Sequence, residues 1–227
     1  MQESRDVFAD QRFVRNTYTG RILNRLGAIN LALGDYASAV EDYELLLSLN
    51  LSPKDSYNAR KGAMEGNFLQ SAYQEVIEFA DEIISAEWKP LNAEKEAKLL
   101  KAKSLYQLQQ LDESKVLFSE IAKGEDQFAA EAAYNYAYIA YEETAYDESL
   151  DALFELTSRL GSYTEWIDKS YLLIADNYIG KDELFQAKAT LRSIVQHSSD
   201  VEVQRVAQEK LDTIEQTTEL DTLTEGN

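Results

Sequence analysis

Carboxylates are the residues with which this chain could do chemistry: 227 residues carry 41 aspartates and glutamates, one histidine and no cysteine. Acid–base catalysis would therefore run on a carboxylate pair, one protonated and one ionised, as in glycoside hydrolysis. Adjacent pairs occur at Glu41/Asp42, Asp81/Glu82 and Glu142/Glu143. With acidic residues this frequent, such neighbours belong to any solvated helix face, and they read as solvated rather than catalytic. The single His197 excludes a multi-histidine metal centre and any mechanism needing two imidazoles. It sits near a predicted helix end, where an imidazole interacts favourably with exposed carbonyls. Without cysteine there are no disulfides, thiol nucleophiles or cysteine-ligated zinc or iron–sulfur sites. No phosphate-binding, dinucleotide, HExxH, GxSxG or EF-hand spacing is present. The reading is a non-enzyme with no cofactor and no metal.

The same carboxylates set the partner class. Against 22 basic residues they leave a net charge of -19 and a pI near 4.4. Phosphate binding draws on lysine and arginine displacing counterions, so nucleic acid is disfavoured, and so are anionic membrane surfaces. No stretch approaches the roughly 20 apolar residues of a membrane helix, so no direct membrane insertion is expected. The most apolar window, Ala129–Tyr141, is interrupted by Glu131 and Asn135 and reads as a buried helix. MQESRDVFADQRF has no apolar signal-peptide core. At 44% hydrophobic and 11% aromatic, with two prolines and nine glycines, the chain can build a core.

Those residues are positioned by a repeat. The segments GDYASAVEDYELLLSL, LQSAYQEVIEFADEII, LQQLDESKVLFSEIAK, EETAYDESLDALFELT and KDELFQAKATLRSIVQ align on Tyr36, Tyr73, Leu111, Tyr146 and Leu184. Three residues later stand Ala39, Val76, Ser114, Ser149 and Ala187; four beyond those, Tyr43, Ala80, Phe118, Leu153 and Leu191; three further, Leu46, Ile83, Ile121, Leu156 and Ile194. Offsets of 3, 4 and 3 make one stripe of an α-helix. The anchors lie 37, 38, 35 and 38 residues apart, a mean of 37, which houses two helices and two turns. Nine residues before each anchor, Gly27, Met64, Ala102, Ala137 and Ala175 make a second, mostly small stripe suited to close helix approach. Pro53 and Pro90 recur seventeen residues after their anchors, where proline ends one helix and suits the start of the next.

These residues resemble the tetratricopeptide repeat (TPR) family. The unit LNRLGAINLALGDYASAVEDYELLL carries Leu23, Leu26, Gly27, Asn30, Gly34, Tyr36, Ala39, Tyr43 and Leu46 at the family's signature places. The fifth unit follows through Tyr171, Ile174, Ala175, Tyr178, Leu184 and Ala187. Units two and three depart from the pattern, with Arg60 and Lys98 in place of a large apolar residue, and the period is a few residues longer than the family's. The resemblance implies an all-α fold, a right-handed α-α superhelical solenoid of TPR helix hairpins. Five repeats are expected over 17–197 (about 17–53, 54–90, 91–126, 127–162 and 163–197). Residues 1–16 would be a partial helix, a cap or the remnant of an upstream repeat; 198–217 a C-terminal capping helix; 218–227 a polar tail. Such ends suggest part of a longer chain, which an open reading frame starting at Met1 with no upstream coding sequence in frame would reject. The aromatic-rich EAAYNYAYIAYEETAYDESLDALFEL is similar in style to bacterial cell-envelope TPR proteins, including outer-membrane assembly lipoproteins. That likeness implies a periplasmic or outer-membrane-associated place, and otherwise a cytoplasmic one.

In the family the first helix of each hairpin lines a concave groove. Positions 15, 12, 8 and 5 before each anchor would face it: Arg21, Asn24, Ala28, Leu31; Asn58, Lys61, Glu65, Phe68; Glu96, Leu99, Lys103, Tyr106; Glu131, Tyr134, Tyr138, Tyr141; Lys169, Leu172, Asp176, Ile179. Four units supply one cation each, Arg21, Lys61, Lys103 and Lys169, and the fourth supplies three tyrosines, with Tyr106 and Phe68 from neighbouring units. Either this aromatic, mildly cationic groove holds a peptide or protein segment, or the rings pack between successive first helices. Asn24 and Ala28 stand where a carboxylate clamp for acidic C-terminal tails wants lysine and asparagine, so that ligand is disfavoured. The expected function is a non-catalytic protein–protein interaction module. The alternative is a structural scaffold or self-assembling segment of a larger TPR protein, whose partner would be a second copy in a homodimer.

Overall fold

A computed structural model describes residues 17–225; the expectation for residues 1–16 lies outside the described residues. Eleven helices occupy the described stretch, and no strand is found there. In order they are α1 (Thr17–Leu33), α2 (Tyr36–Leu47), α3 (Pro53–Leu69), α4 (Tyr73–Ser85), α5 (Ala93–Gln107), α6 (Leu111–Ile121), α7 (Gln127–Glu142), α8 (Tyr146–Arg159), α9 (Thr164–Gly180), α10 (Leu184–His197) and α11 (Val201–Glu225). Two compact units divide the chain between Leu117 and Phe118.

One turn recurs five times. The residue two before each anchor is left-handed: Gly34 (φ 78), Ser71 (φ 64), Gln109 (φ 61), Thr144 (φ 60) and Asp182 (φ 60). In each turn that residue's N–H bonds the carbonyl three back, and the next N–H bonds the carbonyl five back: Gly34 to Leu31 and Asp35 to Asn30, Thr144 to Tyr141 and Ala145 to Ala140, with the same pairing at 71/72, 109/110 and 182/183. This is the Schellman ending, which satisfies carbonyls that the stopped helix leaves open. Two residues later the next helix begins, so each pair folds back on itself. Asp35 caps α2 by accepting from Ser38 N at 3.2 Å. Ser52 caps α3 by accepting from Asp55 N at 3.2 Å, with Pro53 in the first turn.

In the first unit α1 packs on α2 and α3, and α3 on α2, α4 and α5; in the second, α7 packs on α8 and α9, and α9 on α8, α10 and α11. The repeat stripes supply the seams. Ala39, Val76 and Ala187 are fully buried, as are Ser114 and Ser149, whose hydroxyls each donate at 2.8 Å to the carbonyl of the small residue twelve positions earlier, Ala102 and Ala137. Tyr43, Ala80, Phe118, Leu153 and Leu191 are buried in turn, as are Leu46, Ile83, Ile121, Leu156 and Ile194. Two glycines, Gly27 of the small stripe and Gly62, let a ring in. A Cβ at Gly27 would lie 2.7 Å from Tyr43 Cζ, and one at Gly62 2.2 Å, so the Tyr43 ring occupies space that two missing side chains leave.

Three details depart from expectation. Asp42, read as half of a solvated pair, is buried and accepts a hydrogen bond from Asn30 Nδ2 at 2.7 Å. A buried carboxylate persists where such donors satisfy it, and Asn30 faces it from the partner helix of the same hairpin. Leu99, placed on the groove face, is buried in the first unit. The helical backbone of α11 continues to Glu225, past residue 217, because no glycine or proline interrupts it before Gly226.

Candidate binding face

Helices α1, α3 and α5 bring part of the expected groove set together in the first unit. Lys61 Nζ holds Glu96 at 2.6 Å and reaches Glu65 at 3.8 Å. Burial alone would lower its ammonium, but the Glu96 bond and charge, with Glu65 and Tyr57, carry it above its ordinary value. Burial raises the Glu65 carboxyl; Lys61 pulls the other way and Glu96 adds to the rise. Lys103 Nζ lies 5.9 Å from the Phe68 ring centre, within cation–π reach, and Phe68 meets Tyr73 edge-on at 5.8 Å. Beside them opens a cleft of about 450 Å³ lined by Ala28, Leu31, Ala32, Glu65, Phe68, Leu69 and Leu100. Tyr106 is half-buried near the end of α5 and its carbonyl takes part in the turn there. Arg21 is exposed on α1 in a separate shallow site with Tyr18, Ile22, Asn24 and Arg25.

In the second unit the site is aromatic. Along α7, Tyr134 lies 6.3 Å from Tyr138 and Tyr138 6.4 Å from Tyr141, and Tyr141 lies 5.9 Å from Tyr146 at the start of α8. Trp166 of α9 extends the row, 5.5 Å from Tyr134, and Lys169 Nζ sits 4.2 Å above the Trp166 ring while pairing with Glu165 at 2.7 Å. Tyr134, Tyr138 and Tyr141 are half-buried and pack on the cluster of Ala137, Leu150, Leu153, Leu173 and Ile174. Burial pushes the Tyr134 phenol up to about 12, with Tyr138 and Asp176 adding to it. Burial also raises Tyr138, helped by Glu142, and Tyr141, helped by Asp176. Asp176 is itself tied to Lys210 at 2.6 Å. Tyrosine also serves structure here: Tyr136 donates to Glu148 Oε1 at 2.6 Å, joining α7 to α8.

One member escapes the sequence reading. Trp166 lies one helical turn before Lys169 on the same face, a spacing that could have found it. Glu65 occupies an expected groove position, but its role as the ionisable lining of an apolar cleft depends on α1 and α5. His197 closes α10, its Nδ1 2.9 Å from the Ser193 carbonyl, which accounts for it as a helix-end residue. No cluster of metal-binding side chains occurs among the described residues, and no helix there is long and apolar enough to cross a membrane.

No protein-family model matches the sequence, and no curated protein matches it in sequence. Solved structures do match in fold. YrrB, described as a TPR protein with an unusual peptide-binding site, superposes with a TM-score of 0.59 at 14% identity, covering 90% of this chain and 97% of that one. MamA gives 0.60 at 14% identity over 81% of this chain and 97% of that one. BtubC from P. vanneervenii gives 0.64 at 11% identity over 93% and 87%. With identity this low the likeness bears on fold alone, and it agrees with the helices, turns and seams above: the chain is an all-α array of TPR-like helix hairpins.

Proposed function

We propose that this protein is a non-catalytic interaction module that holds a peptide or protein segment against its first helices. The observation that carries this reading is the row Trp166–Tyr134–Tyr138–Tyr141–Tyr146, whose tyrosines keep part of their surface open to solvent. Tyrosine gives wide apolar contact with a polar tip at low entropic cost, and such rings dominate interface hot spots. The peptide-binding site named for YrrB supports the mode. In this reading Lys169 belongs with the row, and the expected groove residues Arg21, Lys61, Phe68, Lys103 and Tyr106 serve the same role in the first unit. The aromatic-rich style of the repeats is the ground for placing such a module in a bacterial envelope protein. The test replaces Tyr138 and Tyr141 together by alanine. Because both rings rest on the buried cluster beneath the row while keeping part of their surface open, the expected outcome is a modest fall in melting temperature with loss of the partner captured by the wild type. A collapse in melting temperature would instead make the pair packing residues, since emptying a packed aromatic site costs about 3–5 kcal/mol.

A second reading, self-assembly, is favoured by α1. Ile22 and Ile29 are 38% and 52% exposed. At the equivalent positions later first helices bury Ala59, Ala97, Ala132 and Ser170, and Gly66, Ser104, Ile139 and Asn177. An apolar face left open where its counterparts are covered suits stacking against another copy. Mass measured against concentration separates the two: a monomer that retains a specific partner supports the first, and a stable homodimer lacking one supports the second.

A further inference from the structure

We propose that the cleft between α1, α3 and α5 receives an apolar side chain of a partner polypeptide that is flanked by lysine or arginine, the cation pairing with Glu65. The inference rests on the interaction-module reading and names the chemistry of the segment for the first unit.

Size and lining set the apolar half. About 450 Å³ bounded by Leu31, Phe68 and Leu100 accommodates one or two aliphatic side chains. Leu69 at its rim is 50% exposed, and burying such surface is what a docking side chain would gain.

Charge sets the other half. Among the described residues, Glu65 is the one ionisable residue lining the cleft. Its neighbour Lys61 is committed to Glu96 at 2.6 Å and stays 3.8 Å from Glu65, and the other cation nearby, Lys103, sits over the Phe68 ring, so no ammonium holds Glu65 closely. The Glu65 carboxylate stands among apolar side chains with part of its surface open, and an incoming cation there would form a charge-assisted pair. An acidic ligand would set a second negative charge there, in a chain whose net charge is already -19.

The test titrates the full chain, with leucine methyls labelled, against three acetylated and amidated pentapeptides: Gly-Leu-Lys-Leu-Gly, Gly-Leu-Glu-Leu-Gly and Gly-Ala-Lys-Ala-Gly. The leucine–lysine probe is expected to shift the Leu31 and Leu100 methyl resonances and to bind roughly tenfold tighter than the leucine–glutamate probe, the scale of a charge-assisted pair. The alanine–lysine probe should leave both methyls unmoved. Glu65→Gln should erase the preference for lysine over glutamate while the leucine–lysine probe still shifts those methyls. Equal binding of the two leucine probes, or a preference that survives Glu65→Gln, overturns the proposal. So does dilution-dependent movement of the same methyls without peptide, which would make a second copy the occupant. Binding that perturbs Tyr138 and Tyr141 but not Leu31 or Leu100 overturns this inference and leaves the interaction-module reading standing; no binding of any probe at either unit counts against both.

Discussion

The two units solve one packing problem with opposite residues. In the first, the large Tyr43 is admitted because Gly27 and Gly62 leave room on either side. In the second, the equivalent three positions are Ala137, Leu153 and Leu173, which share a buried cluster. The period conserves the seam rather than the residue: what one position gives up in volume another fills, as close-packed interiors require. The binding faces diverge more freely, being half exposed. One carries Lys61, Glu65 and Glu96 beside an apolar cleft, the other a row of rings.

The comparison is broken most forcefully at Tyr43. Tyr43→Ala empties a space that two glycines cannot fill and should cost about 3–5 kcal/mol in urea unfolding, more than Leu153→Ala, whose alanine and leucine neighbours are bulkier. A smaller loss for Tyr43 would mean that the ring is not what holds the first seam.

Next in size is a pH effect that is largest at Tyr134 of the second unit. The Tyr134 phenol stands at about 12 when folded against 10.0 ordinarily. The folded state therefore keeps a proton that the unfolded chain releases, and this stabilisation is complete below pH 10 and lost as pH rises toward 12. Tyr134 should contribute a loss of about 2–3 kcal/mol to alkaline unfolding across that window, so the loss is smaller in Tyr134→Phe.

Gly62→Ala comes third, at about 1–3 kcal/mol for overpacking. In a Tyr43→Leu background, which copies the second unit's choice, the cost should fall by half or more. Additive costs would show that the ring and the glycine do not share the seam.

The smallest effect compares the turns. Gly34 adopts its left-handed conformation freely, whereas the β-branched Thr144 does so at a cost. Thr144→Gly should stabilise by up to about 1 kcal/mol, the left-handed penalty less the added freedom of the unfolded chain. Gly34→Ala should destabilise by a similar amount.

Much of this was legible in residue order. Offsets of 3, 4 and 3 from five anchors name residues that are buried in every hairpin, because a helix face is a local property. The turns were legible at Gly34 alone. Ser71, Gln109 and Thr144 carry no signature of a left-handed residue and Asp182 only a weak one, and they adopt it because the helices on both sides are held by their stripes. Of the candidate site, the three tyrosines of α7 were found together, since residues 3 and 4 apart share a face. The solvation of Asp42 was misjudged because its partner Asn30 lies across the hairpin.

Residue order alone determined that the chain is a helical array, where its hairpins fall and which stripes seal them, since each depends on spacing within a few turns of one helix. Only the tertiary structure decided which carboxylates are buried, that Lys61 is shared between Glu96 and Glu65, and that Trp166 joins the tyrosines. Those outcomes depend on which side chains from separate helices meet, and a charge or a ring acquires its environment from such neighbours rather than from its place in the chain.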